Sequence, residues 1–202
     1  ELRAELVASG HRFLTHSDTE VILELYAAMG PACVERLNGD FAFAIWDRSR
    51  RTLFAARDRM GVRPFFHTTR NGVLWFASEV KALLAVPGVS AELDPIALDQ
   101  IFTFWFPLAP RTAFRDISEL PPGHTLIATP SGVSIRRYWA LDCPDAADAD
   151  GLDQRPETVI AGDVRALLED AARIRLRADV LVGSYLSGGL DSSLVTAMAR
   201  NE

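Results

Sequence analysis

Ser187-Gly188-Gly189-Leu190-Asp191-Ser192-Ser193 stands between two apolar segments of different character. Upstream, Val180-Leu181-Val182-Gly183-Ser184-Tyr185-Leu186 is short, mostly apolar and partly β-branched, the pattern of a strand buried on both faces of a parallel sheet. Downstream, Leu194, Val195, Ala197, Met198 and Ala199 suit a helix and are interrupted by no Pro or Gly. Strand, Gly-rich turn and helix in that order aim unpaired amides and the positive end of the helix dipole at a ligand, as in a phosphate cradle. Gly188 and Gly189 lack the Cβ that would hold the backbone away from it, and the hydroxyls of Ser187, Ser192 and Ser193 supply further donors.

The loop has no Lys at the position where a P-loop would contact β and γ phosphates, which excludes a Walker A site. A carboxylate, Asp191, stands there instead. Two anions share such a space when a hard cation bridges them, so the expected ligand is a Mg²⁺-bound pyrophosphate portion of a nucleotide, with Asp191 on the metal. The plainer reading is a strand-to-helix turn in which Ser187, Asp191 or Ser192 caps the helix. The complete Ser-Gly-Gly-x-Asp-Ser string after an apolar run favours the phosphate site.

Before the cradle, Ile160, Val164, Leu167, Leu168, Ala171 and Ile174 recur at helical spacing. Before that helix the composition breaks: the stretch from Asp142 to Asp153 is acidic, contains Pro and Gly and has little to bury, so 141–157 reads as a linker. Residues 1–140 have a different, α+β pattern. Leu2, Leu6 and Val7 mark a helix ending at Gly10, and Val21, Ile22, Leu25, Tyr26 and Met29 a second that stops at Gly30-Pro31. Strands are expected at 41–47 and 52–57, and at 65–69 and 73–77 across Asn71-Gly72. Asp94-Pro95 opens a helix through Phe104, and a hairpin joins 124–128 to 132–138. Largely antiparallel pairing here against a parallel unit at 158–202 implies two domains.

The 202 residues carry 21 Lys plus Arg against 27 Asp plus Glu, a net charge of −6, and no basic stripe, which argues against nucleic acid as a partner. No apolar run reaches membrane-spanning length, and Glu1-Leu2-Arg3-Ala4-Glu5 is unlike a signal peptide. Cys33 and Cys143 have no partner at zinc-like spacing, so a reducing, cytoplasmic setting is expected. His11, His16, His67 and His124 form no visible base-and-nucleophile set. Phe102, Phe104, Trp105 and Phe106 read as core or domain interface.

Ser187 to Ser193 resembles the PP-loop of the ATP pyrophosphatase superfamily, and Leu186 to Ser193 that of asparagine synthetases in particular. The resemblance implies that the loop holds the pyrophosphate of ATP and that Leu186 contacts the adenine nucleotide; the sequence departs from the family at Leu181, where Pro is common. Residues 1–140 resemble the glutaminase domain of class II amidotransferases, an N-terminal-nucleophile fold. The likeness is carried by 17–22 (SDTEVI), 37–44 (LNGDFAFA), 57–64 (RDRMGVRP) and 77–83 (ASEVKAL) in that order. Together the two resemblances point to the glutamine-hydrolysing asparagine synthetase family: an α+β glutaminase domain, truncated at its N-terminus, followed by the first elements of an α/β nucleotide domain.

That family implies glutamine, aspartate and ATP as substrates, with Mg²⁺. It leaves the oligomeric state open, a homodimer being compatible. The Asp matching Asp18 binds glutamine in the family, and a carboxylate suits an α-ammonium group. Ser17-x-x-Glu20 is also a capping box, and the two roles are compatible. Arg57, Asp58 and Arg63 are read as structural. The family's nucleophile is an N-terminal Cys acting as thiolate, and no residue here matches it, so the chain is expected to be an internal fragment without glutaminase activity. About 45 residues are too few for the nucleotide domain's core. The implied reaction hydrolyses glutamine, passes ammonia between domains and adenylates the aspartate side chain. A β-lactam-synthetase-like ligase without glutaminase activity, or a non-catalytic nucleotide-binding module, are the alternatives.

Overall fold

The computed structural model describes residues 1–143 and 153–200. Most of the expected linker, 144–152, lies outside the described residues. The chain divides into two units, Glu1–Asp142 and Cys143–Glu202.

The first unit opens with α1 (Leu2–Ala8) and α2 (Asp18–Met29). Ser17 caps α2 by accepting from the Thr19 amide at 3.1 Å, and Gly30 ends it at φ +63°, a region that favours glycine. The predicted stop at Gly30-Pro31 ends only the α-helix. Pro31 lacks the amide that an α-helix needs but suits the first turn of a new one, and a 3-10 helix runs on through Gly30–Arg36. That turn buries Cys33 and Val34.

Strands β1 (Ala42–Asp47) and β2 (Thr52–Arg57) pair antiparallel, with Ala42 opposite Arg57. Asn71 (φ +51°) and Gly72 (φ +75°) form the two-residue turn between β3 (Phe66–Arg70) and β4 (Val73–Ala77), both in the left-handed conformation this hairpin requires. Helix α3 (Val80–Leu84) follows, and Asp94 caps α4 (Pro95–Phe104) by accepting from Ile96 and Ala97 amides. A two-strand hairpin of β6 (His124–Thr129) and β7 (Gly132–Arg137) comes after β5 (Ser118–Glu119), a pair of residues too short to show a period in sequence. One sheet has the order β1-β2-β6-β7 and the other β4-β3-β5.

Strand β2 is buried on both faces, which explains its near-continuous apolar run. Phe54 and Ala56 join the helical residues Leu6, Leu25, Tyr26 and Val34 in one core, where the Tyr26 and Phe54 rings stack at 5.2 Å. Ala55 joins Phe65, Leu120 and Leu126 in a second core. Helices, sheet and sheet thus form successive layers that share β2. Fully burying Phe54 contributes roughly 1.5–3 kcal/mol. The aromatic group at 102–106 is not core: Phe102 and Trp105 are 87% and 92% exposed, because α4 buries only Ala97.

The second unit contains α5 (Glu157–Arg175) and α6 (Leu190–Arg200), and none of its described residues is buried. The strand expected at 180–186 does not form. Leu181 and Tyr185 are almost wholly exposed, and no strand among the described residues pairs with the segment. An apolar run becomes a strand through a neighbour's hydrogen bonds, which local sequence cannot supply.

Candidate functional site

In the second unit the chain turns at Gly188, whose φ of +85° few side chains tolerate, and enters α6 at Leu190. Nothing lies within 4 Å of where a Gly188 Cβ would stand, so the loop is open there. The Ser193 amide donates to the Gly189 carbonyl at 3.1 Å, and the amides of the turn before it precede the helical ladder. Ser187 and Ser192 hydroxyls meet at 2.9 Å. Ser192 and Ser193 hydroxyls also donate to the Gly189 carbonyl, at 3.1 and 2.8 Å, so both brace the turn in this arrangement rather than presenting free donors.

Asp191 lies in the first turn of α6 and Leu186 is exposed just before the loop. Among the described residues no group of three or more His, Cys, Asp or Glu could hold a metal ion. A single carboxylate nevertheless suits Mg²⁺ that arrives on a nucleotide, because that ion takes one or two carboxylates, phosphate oxygens and water. In this arrangement the groups that suit a Mg²⁺-bound phosphate chain are the main-chain amides of the turn and the Asp191 carboxylate.

In the first unit Asp18 is the first residue of α2 and is exposed. Its carboxylate has no partner among the described residues, whereas the loop leading to it is tightly held. The predicted capping box is only half formed. Ser17 caps the helix, but Glu20 does not return to the Ser17 amide, which donates to Thr15 Oγ1 at 3.2 Å. Instead Glu20 Oε1 accepts from the Leu14 amide, and Oε2 from the Thr15 amide and hydroxyl, at 2.7, 2.7 and 2.6 Å. Ser-x-x-Glu spacing signals a reaching carboxylate but not how far back it reaches. The Leu14 amide first, then the Thr15 hydroxyl, holds Glu20 below its ordinary value, with desolvation opposing.

Arg3, which the sequence did not single out, donates to the Thr15 carbonyl at 2.7 Å and the Ser17 carbonyl at 2.8 Å. Its guanidinium lies 4.4 Å from the centre of the Phe13 ring. His11 pairs with Glu24 at 2.8 Å, further along the same loop.

The structural reading of Arg57, Asp58 and Arg63 agrees with the geometry. Asp58 is 1% exposed and accepts from the amides of Met60, Val62 and Arg63 at 3.0–3.1 Å. Arg57 donates to the carbonyls of Gly61, Arg63 and Leu120 at 2.7–2.8 Å, while Arg63 enters through its backbone. A Cβ at Gly61 would stand 2.7 Å from Pro122 Cγ, so the loop packs tightly against the segment that leads into β6. His124 Nδ1 lies 2.7 Å from the Pro122 carbonyl, and burial lowers the pKa of His67.

The layered first unit has the fold of N-terminal-nucleophile glutamine amidotransferases. The glutamine phosphoribosylpyrophosphate (PRPP) amidotransferase of Bacillus subtilis, solved with ADP and GMP, superposes at a TM-score of 0.50 over 99% of this chain and 41% of its own. At 19% identity that likeness concerns the fold alone. Residues 1–139 match the glutamine amidotransferase domain family and residues 163–202 the asparagine synthase family. The chain belongs to the glutamine amidotransferase domain family, and it carries that domain together with a segment that matches the asparagine synthase family.

Asparagine synthetase [glutamine-hydrolyzing] 3 of Bacillus subtilis is 45% identical over 200 residues, which are 98% of this chain and 31% of that protein. Amidase chyE of Penicillium rubens is 38% identical over 203 residues, 100% of this chain and 29% of its own length. The chain thus spans about a third of the length of these relatives.

Proposed function

We propose that the protein carrying this chain is an ATP-dependent, glutamine-hydrolysing asparagine synthetase. Glutamine is hydrolysed in the amidotransferase domain with its α-ammonium group against Asp18, and the ammonia passes to the second domain. There the aspartate side-chain carboxylate attacks the α-phosphorus of ATP, forming an acyl adenylate and releasing pyrophosphate. Ammonia displaces AMP to give the amide. Residues 187–193 would bind the β and γ phosphates, where charge accumulates as pyrophosphate leaves, and Leu186 would lie against the nucleoside. Mg²⁺ on the polyphosphate, held by Asp191, would offset that charge.

The observation that carries this reading is the left-handed turn at Gly188 running into α6 with Asp191 in its first turn. It is tested by Asp191→Ala in the full-length protein. ATP–pyrophosphate exchange is expected to be lost while glutamine hydrolysis is not, and unchanged exchange rejects the assignment.

The match to an amidase over the whole chain favours a second reading, in which the same machinery amidates another carboxylic acid. Exchange supported by another acid but not by aspartate would select it.

A further inference from the structure

Asp18 sits at the end of a loop, 13–17, that has no regular structure, yet the backbone of that loop is held from two sides. Glu20 takes the donors, the Leu14 and Thr15 amides. Arg3 takes the acceptors, the Thr15 and Ser17 carbonyls, through two nitrogens of one planar group. Thr15 is the node: its amide and hydroxyl go to Glu20, its carbonyl to Arg3, and its Oγ1 also accepts from Ser17.

We propose that Arg3 and Glu20 are positioning residues for the Asp18 carboxylate, acting together through this loop to set where the α-ammonium group of glutamine binds. The proposal rests on the reading of Asp18 as the glutamine contact. Two opposite charges that serve opposite sides of one short peptide segment define its orientation, where either alone would let it pivot. The segment ends at Ser17, whose carbonyl Arg3 holds and whose hydroxyl caps α2. Asp18 follows directly, and its side chain makes no bond among the described residues that would correct an error. A displacement of about 1 Å at such a contact is enough to weaken binding substantially.

Lys can replace the charge of Arg3 but not its two-pronged geometry, and Gln can replace the shape of Glu20 but presents a donor to either the Leu14 or the Thr15 amide, each of which needs an acceptor. In the full-length protein, Arg3→Lys and Glu20→Gln are each expected to raise the KM for glutamine about tenfold while kcat stays within about twofold. Asp18→Asn is measured beside them, and amide formation supported by ammonia in place of glutamine serves as the control for folding. An unchanged KM in both loop variants, with Asp18→Asn raised, overturns the positioning role. An unchanged KM in Asp18→Asn overturns the underlying reading of the site. If ammonia-supported and glutamine-supported rates fall together with KM unchanged, the two residues only maintain the fold and the proposal is wrong.

Discussion

Arg57 Nη1 lies 2.7 Å from Glu119 Oε1, joining the end of β2 in one sheet to β5 in the other. The two side chains are only 7% and 20% exposed, and the same guanidinium serves the carbonyls of Gly61, Arg63 and Leu120. Tyr138 adds to the junction by donating to the Arg57 carbonyl at 2.8 Å. One arginine therefore ties the 58–63 loop, both sheets and the strand exit together.

Removing it leaves a partly buried carboxylate without its cation and takes a donor from each of three carbonyls. Arg57→Met should lower the unfolding free energy by about 3–5 kcal/mol, and Glu119→Gln, which keeps an acceptor oxygen, by about 1–3 kcal/mol. Urea unfolding of the chain followed by tryptophan fluorescence measures both. A loss below about 1 kcal/mol in Arg57→Met would show that the junction is ornamental.

The Glu20 carboxylate titrates below its ordinary value of 4.5, because the folded loop binds its charged form. Its folded pKa lies under the unfolded one, so the stabilisation is fully present above about pH 4.5 and fades as pH falls through the lowered folded value. In an NMR pH titration the amide signals of Leu14 and Thr15 should move with a midpoint below 4.5. A midpoint at or above 4.5 contradicts the assignment, and Glu20→Gln should abolish the transition.

Burial pushes the Cys33 thiol up to about 11, whereas Cys143 is exposed. Thiolate is the species that reacts, so Cys33 is inert at neutral pH. Ellman titration of the native chain at pH 7.5 should find one reactive thiol, and two after unfolding in guanidinium. Two fast thiols in the native state would mean that the core around the 3-10 helix opens readily.

The readable parts of the fold are those whose cause is local. Asn71-Gly72 makes its hairpin from two residues that accept positive φ, and Asp94-Pro95 starts α4 from a capping carboxylate and a ring with no amide to waste. Ser17 capped α2 as expected. At Gly30-Pro31 α2 stops as expected; the 3-10 helix that starts there was not legible, because Pro ends one kind of helix and begins another.

Parts of the candidate sites were legible for a similar reason. The loop at 187–193 is contiguous, so its glycines, serines and Asp191 are adjacent in sequence as in space. The support of Asp18 was not. Arg3 comes from another helix, and the Glu20 partners became clear only when the loop was closed.

From residue order alone came the antiparallel α+β unit and the helix-opening glycine loop with Asp191 in it, because period, turn chemistry and short motifs are properties of neighbours. Three-dimensional packing alone decided that β2 lies against β6, 53–56 beside 125–128, and that Arg57 reaches Leu120. It also decided that 180–186 remains unpaired and exposed while Phe54 is sealed between layers. Those outcomes depend on which distant backbone and side chains come within hydrogen-bonding and van der Waals range, and a linear string does not contain those distances.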